Sequence, residues 1–97
     1  MNIHLVYRAE VFREDEQFVA ICPELNVSSF ADTVEEARTS LREAIDLFIE
    51  ECEAMGTLSA VLNEAGFTPD SADPQKWVSR VPILVEQVSR PVPGWFQ

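Results

Sequence analysis

The stretch from Thr33 to Gly56 leaves little freedom in how this chain folds, because its start, its periodicity and its end all indicate one helix. Thr33 and Glu36 match a capping box, T-x-x-E, in which the hydroxyl accepts the N–H of residue 36 and the carboxylate accepts the N–H of residue 33. Gly56 is predicted to end the helix. Apolar side chains recur every three or four residues, at positions 34, 37, 41, 44, 45, 48, 52 and 55. Such a stripe is typical of a helix that packs one face against a core.

The opposite side of this helix is strongly acidic. Acids in the last turns oppose the helix dipole, and each costs about 0.3 to 1 kcal/mol at an exposed site. A sequence that keeps them despite this cost favours a binding partner for the acids, although acidity also maintains solubility. The acids on this side are Glu35, Glu36, Glu43, Asp46, Glu50, Glu51 and Glu53.

Two strands joined by an acidic turn are predicted before the helix. Residues 3–13 are rich in β-branched and aromatic types and are predicted to form one long first strand. The turn holds Glu14, Asp15 and Glu16, and the apolar run from Phe18 to Cys22 follows as the second strand. The three turn acids are interpreted as solvated rather than metal-binding, because neighbouring turn side chains diverge and hard cations need converging oxygens.

The first two strands carry apolar residues on both faces. Val6 and Phe12 are predicted to lie on one side of the first strand, and Leu5, Tyr7 and Val11 on the other. One helix covers only one face of a sheet, so the second face is expected to meet the rest of the chain or another subunit. Pro23 ends the second strand because proline has no N–H for the ladder, and residues 26–30 are predicted as a short third strand.

Beyond Gly56, a shorter helix and one more strand are predicted. Thr57 is expected to cap a second helix that Gly66 closes, and residues 67–76 to form a loop. Residues 78–88 are predicted as the last strand, at the sheet edge because of Pro82. Trp95 and Phe96 are expected to pack on their own domain or on a second subunit, which look equally reasonable.

The element order is therefore β-β-β-α-(α)-β, which predicts a fold of the α/β (α+β) class. A strand that follows a crossover helix is expected to lie parallel to an earlier strand, most simply the first. The sheet is predicted to be open, with the helices on one face. Residues 1–90 are interpreted as a single domain and residues 91–97 as an aromatic C-terminal tail, without a separate DNA-binding domain.

The net charge of −10 excludes some functions and favours others. Nucleic-acid affinity comes mainly from Lys and Arg that neutralise phosphates, so direct DNA binding is not expected. A basic partner would instead be steered toward the surface. No window is apolar enough for a membrane span, and the N-terminus lacks the features of a signal peptide, so a cytoplasmic location is expected.

The residue types needed for catalysis are sparse. Cys22 and Cys52 match no zinc or disulfide pattern and are interpreted as small buried hydrophobes, and His4 is the only histidine. Glycine-rich phosphate-binding motifs do not occur. Glu10 is the only acid in the middle of the first strand, so a metal-dependent nuclease is the least favoured reading. We expect no enzymatic activity, cofactor or metal.

The first 50 residues resemble the HicB-like antitoxin family. The resemblance lies in Tyr7, the acidic turn, Phe18-Val19-Ala20, Cys22-Pro23-Glu24-Leu25, Ser29, Asp32-Thr33, Glu35-Glu36-Ala37 and Leu41-x-x-Ala44-Ile45. It implies a partial ribonuclease H-like fold without the catalytic acids. HicB antitoxins bind and block HicA toxins, which are small basic proteins that cleave messenger RNA, and they often repress their own operon.

The chain departs from the family pattern at two points. Ala31 stands where the family usually has glycine, so a turn that needs positive φ would be strained. Residues 68–97 do not match the helix-turn-helix or ribbon-helix-helix that HicB repressors generally add, so DNA binding and autorepression are not carried over.

Two hypotheses of different kinds follow. The first is an antitoxin-like module, as a homodimer or higher homo-oligomer, that binds a basic HicA-like toxin. The alternative is a stand-alone oligomeric HicB-like domain that has no HicA partner, with ligand sensing as one of the roles open to it. For the first, the residues expected to contact the partner are Glu14, Asp15, Glu16, Glu24, Glu43 and Glu50.

Overall fold

The computed structural model describes residues 3–96, with the side chain of Phe96 outside the described part. Within these residues, six strands and two α-helices make a mixed α/β fold, and a 3-10 turn follows at Gly94–Phe96. The elements are β1 His4–Val6, β2 Glu10–Glu14, β3 Gln17–Cys22, β4 Val27–Ala31, α1 Val34–Met55, α2 Leu58–Glu64, β5 Phe67–Pro69 and β6 Lys76–Ser79.

The predicted long helix is confirmed at both ends. The Thr33 hydroxyl accepts the N–H of Glu36 at 3.1 Å. The reciprocal half of the capping box is not among the hydrogen bonds of residues 3–96. Gly56 ends the helix in the left-handed region, with φ 72°, which glycine adopts without steric cost.

One stripe of α1 forms the main core against β3. Ala37, Leu41 and Ile45 are buried against Ala20 and Cys22. Burial of a large aliphatic side chain stabilises a fold by about 1.5 to 3 kcal/mol. The two ends of the predicted stripe, Val34 and Met55, are instead exposed.

The strands β2, β3 and β4 form an antiparallel sheet in that order. Glu14 pairs with Gln17 across a two-residue turn, so the acidic hairpin is confirmed, and Pro23 follows the end of β3 as predicted. Asp15 takes φ 56°, which aspartate tolerates better than most residues. Ala31 lies in the β4 ladder opposite Phe18 and has no positive φ, so the turn needs no glycine there.

The prediction of one long first strand is wrong. The chain forms β1 and β2 separately, with residues 7–9 between them outside any ladder. The physical reason is a change of partner: β1 pairs with β6, whereas β2 pairs with β3. The predicted division of these residues between two faces is confirmed, because Tyr7 and Val11 pack on the core whereas Val6 and Phe12 are exposed.

A second three-stranded sheet has the order β1-β6-β5. The pairing of β1 with β6 is parallel, as predicted for the strand after the helices. The prediction of loop over residues 67–76 is wrong at both ends, because Phe67 is fully buried and pairs with Ser79, and because Lys76 begins β6. Gly66, with φ 94°, redirects the chain after α2, and Pro69 is tolerated because β5 is an edge strand.

The prediction of a strand over residues 78–88 is also wrong. Strand β6 ends at Ser79, and residues 80–93 form neither helix nor strand. We call residues 80–95 the C-terminal segment; every one of these residues is exposed. The alternation of Val81, Ile83 and Val85 is present, but no neighbouring strand pairs with it.

The cap predicted for the second helix is only half right. Thr57 does occupy the position before α2, but its hydroxyl makes no cap bond. It points back to α1, where it donates to the carbonyl of Cys52 at 3.4 Å. Leu62 on α2 and Phe67 on β5 are both fully buried, on two elements that pack together.

Candidate protein-binding surface

The acidic hairpin turn forms one side of an open cleft. Glu14, Asp15, Glu16 and Gln17 line this cleft of about 560 Å³ together with Phe30. The two-residue turn between β2 and β3 places the three carboxylates next to each other, and the antiparallel pairing of β3 with β4 brings Phe30 alongside. The sequence predicted the turn, but it gave no sign that an aromatic side chain lies beside it.

A second acidic cleft, also of about 560 Å³, lies between β4 and the first half of α1. It shares Gln17 and Phe30 with the cleft at the turn, so the two clefts adjoin at these residues. We call the combined lining the acidic surface. Its seven carboxylates belong to Glu14, Asp15, Glu16, Asp32, Glu35, Glu36 and Glu43.

The acidic surface carries few compensating cations. Within residues 3–96 the salt bridges are Arg38 with Glu35, at 3.5 Å, and Arg8 with Glu10, at 3.3 Å. Only the first of these touches the acidic surface, and both are solvent-exposed. Exposed pairs contribute about 0 to 1 kcal/mol, so the local field stays strongly negative.

An apolar side chain lies in the middle of these acids. Phe30 is 58% exposed and borders both clefts. An exposed aromatic ring within a charged rim is the usual arrangement of a protein-binding surface, in which the ring provides the buried contact and the charges orient the partner. The geometry therefore fits a macromolecular partner better than a small enclosed ligand.

The structure brings together four of the six residues predicted to contact a partner. Glu14, Asp15, Glu16 and Glu43 line the acidic surface. Glu24 lies in the turn at the opposite end of β3, where its carboxylate accepts a weak hydrogen bond from the Cys22 thiol at 3.7 Å.

Glu50 is the sixth predicted residue, and it is exposed on α1 outside both clefts. It lies seven residues after Glu43, about 10 Å further along the helix. Seven residues are nearly two full turns, so Glu50 lies on the same side of α1 as Glu43. Glu50 is outside the acidic surface because it lies further along the helix axis.

Sequence reasoning missed part of this surface. Asp32, Glu35 and Glu36 cluster because Thr33 turns the chain directly from β4 into α1. The capping box could have placed these acids beside the strand end. Gln17 and Phe30 depend on the pairing of β3 with β4, which a single sequence does not give.

A different cleft, of about 630 Å³, lies near the C-terminal half of α1. Burial raises the pKa of the Tyr7 phenol, and the nearby Asp46 carboxylate raises it further. The lining mixes apolar and acidic groups: Ile3, His4, Leu5, Tyr7, Asp46, Ile49, Glu53, Gly56, Leu58, Ser59, Leu62 and Trp77.

The two cysteines are buried free thiols, as predicted. Burial raises the pKa of Cys22 above its usual value, which lowers the fraction of the reactive thiolate. His4 is exposed, and Glu10 pairs with Arg8. No group of three or more potential metal ligands occurs among residues 3–96.

Comparison with family models, with curated proteins and with solved structures finds no match to this chain. None of the helices within residues 3–96 is long and apolar enough to span a membrane.

Proposed function

We propose that this protein is a non-enzymatic, antitoxin-like module that binds a small basic protein of the HicA type on its acidic surface. The observation that carries the proposal is that two clefts adjoin at Phe30 and together present seven carboxylates, of which one forms a salt bridge. The resemblance of the first 50 residues to HicB-like antitoxins supplies the identity of the partner.

Charge supports this choice of partner. The body of the chain, residues 1–79, has sixteen acidic and five basic residues, a net charge of −11. A small basic protein would be attracted over several ångströms before contact, which raises the association rate at low salt. A phosphate backbone would be repelled by the same field.

The proposal places the protein in the cytoplasm. Cys22 and Cys52 are free thiols, and free cysteines are usual in reducing compartments. Binding there would block the toxin without any chemical step by the antitoxin.

The test is a binding measurement with a HicA-type toxin made catalytically inactive. We expect binding at low salt that weakens as salt is raised, because exposed charges are screened beyond about 10 Å at 0.1 M ionic strength. Isothermal titration calorimetry at several salt concentrations would measure it. A complete failure to bind at low salt would contradict the proposal.

Charge reversal locates the site. In the Glu16→Lys/Glu43→Lys variant we expect affinity to fall by about tenfold or more, since both carboxylates line the acidic surface. The control is Glu51→Lys/Glu64→Lys, which changes the net charge equally at exposed positions outside it. Equal losses in the two variants would mean that only the overall charge matters.

The alternative is a stand-alone HicB-like domain that senses a small ligand, and the cleft beside Tyr7 favours it. Trp77 and Tyr7 offer aromatic surface, while Asp46 and Glu53 would attract an organic cation. Thermal-shift measurements with primary amines and guanidinium compounds would test it. A concentration-dependent rise in melting temperature that Trp77→Ala abolishes is the expected result, and no rise with any probe would exclude this reading.

A further inference from the structure

The C-terminal segment exposes far more apolar surface than a stable chain leaves in water. Ile83 is 105% exposed and Trp95 is 83% exposed. Contiguous apolar stretches of this length usually mark an interface. The exposed large apolar residues of the segment are Val81, Ile83, Leu84, Val85, Val88, Val92 and Trp95.

Total surface area gives the size of this excess. The chain exposes 7784 Å², whereas a compact monomer of 10.9 kDa exposes about 5,600 Å². The radius of gyration is 16.8 Å, against about 12.5 Å for a compact domain of this length. Roughly 2,200 Å² per copy, or about 4,400 Å² over two copies, is therefore exposed beyond the compact value, and obligate homodimer interfaces bury about 2,000 to 5,000 Å² in total over both copies.

The second uncovered region is the outer face of the antiparallel sheet. Helix α1 packs on the inner face, against Ala20 and Cys22. On the outer face, Phe12, Val19 and Phe30 form one row across the three strands, because Phe12 pairs with Val19 and Val19 with Phe30. Phe12 is 54% exposed, and β2 and β4 are both edge strands. No element among residues 3–96 covers this row.

Charge makes the two regions complementary. Residues 80–97 carry Arg80 and Arg90 against Glu86, a net charge of +1, while residues 1–79 carry −11. The apolar segment is thus bounded by two cations, and the apolar row lies on the acidic part of the chain. Electrostatic attraction is therefore expected between the C-terminal segment and the acidic part of the second copy. Without it, the negative charges on residues 1–79 of the two copies would only repel each other.

We propose that the C-terminal segment of one copy covers the Phe12–Val19–Phe30 row of a second copy, and reciprocally, so that the protein is an exchanged homodimer. An extended run over residues 81–88 spans about 26 Å, whereas a strand of five or six residues spans about 17 to 20 Å. The segment is long enough to cross the whole outer face. Two identical contacts related by a two-fold axis close the assembly.

The prolines favour a second copy over the segment's own body. Pro82, Pro91 and Pro93 hold the residues before them in extended conformations, which opposes a tight reversal after β6. The Arg80 N–H donates to the Gly66 carbonyl at 3.2 Å, but every residue of the segment is exposed, and Phe12 and Phe30 on the outer face of the same chain are exposed as well. The inference concerns self-association and needs no basic partner, but Phe30 belongs both to this row and to the acidic surface, so the two contacts would compete for that ring.

Sedimentation equilibrium on the wild-type protein is the first measurement. We expect a mass of about twice 10.9 kDa. In the Ile83→Asp/Val85→Asp variant we expect the dimer to weaken by about tenfold or more, because two buried apolar contacts become charged. Both side chains are largely exposed, Ile83 at 105% and Val85 at 79%, so the variant is expected to fold as the wild type does.

The matched control is Gln87→Asp/Ser89→Asp, which adds the same charge to the same segment without removing an apolar side chain. We expect it to remain dimeric. A wild-type protein that sediments as a monomer at every soluble concentration would overturn the proposal. So would an Ile83→Asp/Val85→Asp variant that dimerises as tightly as the wild type.

Mixing two variants distinguishes a dimer with exchanged C-terminal segments from a segment that packs on its own chain. Phe12→Asp removes the receiving surface and keeps the segment, whereas Ile83→Asp/Val85→Asp does the opposite. Each is expected to be monomeric alone, and circular dichroism would verify that Phe12→Asp is folded. Their mixture is expected to regain a heterodimer with one intact contact. Should the mixture stay monomeric while wild type dimerises, the exchange is wrong. No toxin enters this experiment, so its failure and that of the proposed function are separate results.

Discussion

Strand β3 and the C-terminal segment contain similar apolar runs in opposite surroundings. Residues 18–22 lie between two strands and beneath a helix, with Ala20 and Cys22 fully buried. Residues 81–85 are all exposed and belong to no strand ladder among residues 3–96. Both runs could pair as strands, yet only the first has partners in its own chain. An alternating apolar run therefore indicates that a surface has to be covered. Whether the run becomes a core strand depends on whether another element of the chain covers it.

The largest expected effect comes from truncating one large apolar side chain in the core and one in the C-terminal segment. Phe67→Ala should lower the free energy of unfolding by about 3 to 5 kcal/mol, because Phe67 is fully buried and its removal leaves a cavity. Ile83→Ala should change the stability of the isolated monomer by less than about 0.5 kcal/mol. Urea unfolding in dilute solution would measure both. A large loss for Ile83→Ala there would mean that the segment packs on its own body.

A smaller effect compares two threonines that match the same pattern at a helix start. Thr33→Ala should destabilise the protein by about 1 kcal/mol, since its hydroxyl accepts the N–H of Glu36. Thr57→Ala should cost clearly less, because its hydroxyl makes no cap bond to α2. The same urea titrations apply. Equal costs would show that the hydrogen bond from Thr57 to the Cys52 carbonyl is as valuable as a true cap.

The smallest expected effect is a pH dependence of the protein's stability, caused by Cys22 on the core face of β3. Because burial raises the pKa of Cys22, the folded state holds the thiol proton more tightly than the unfolded chain does. The stabilising contribution is therefore complete below the ordinary thiol pKa and is lost as pH rises through the higher folded value. We expect the stability of the wild type to fall above about pH 9 and that of Cys22→Ala to fall less.

The same burial predicts slow modification. A thiol reagent should react with the native protein much more slowly than with the unfolded chain. Rapid labelling of Cys22 in the native state would contradict its burial in the core.

Much of the fold was accessible from local patterns. The cap at Thr33, the stripe through Leu41 and Ile45 and the stop at Gly56 specify α1 through hydrogen bonds and steric preferences within a few residues. The acidic turn and the parallel arrangement of β1 and β6 were also predictable, because hairpins and crossovers obey general rules.

Other elements depended on distant partners. Phe67 lay in a predicted loop, and only its pairing with Ser79 and its burial make it part of β5. Residues 80–88 were predicted as strand because their pattern allows it, but a ladder needs a second backbone at the right distance. In the acidic surface, likewise, Glu14 and Glu43 were predictable as exposed acids, while their grouping around Phe30 required the pairing of β3 with β4.

The sequence by itself determined the long helix and the acidic hairpin, since those depend on contacts between residues close along the chain. Only the tertiary structure decided that the first strand divides between two sheets and that the acids of the hairpin and of α1 share one surface. It also decided that the apolar run after β6 is left uncovered. These features depend on which segments meet in space, and the free energy of burying apolar surface does not specify a partner in advance.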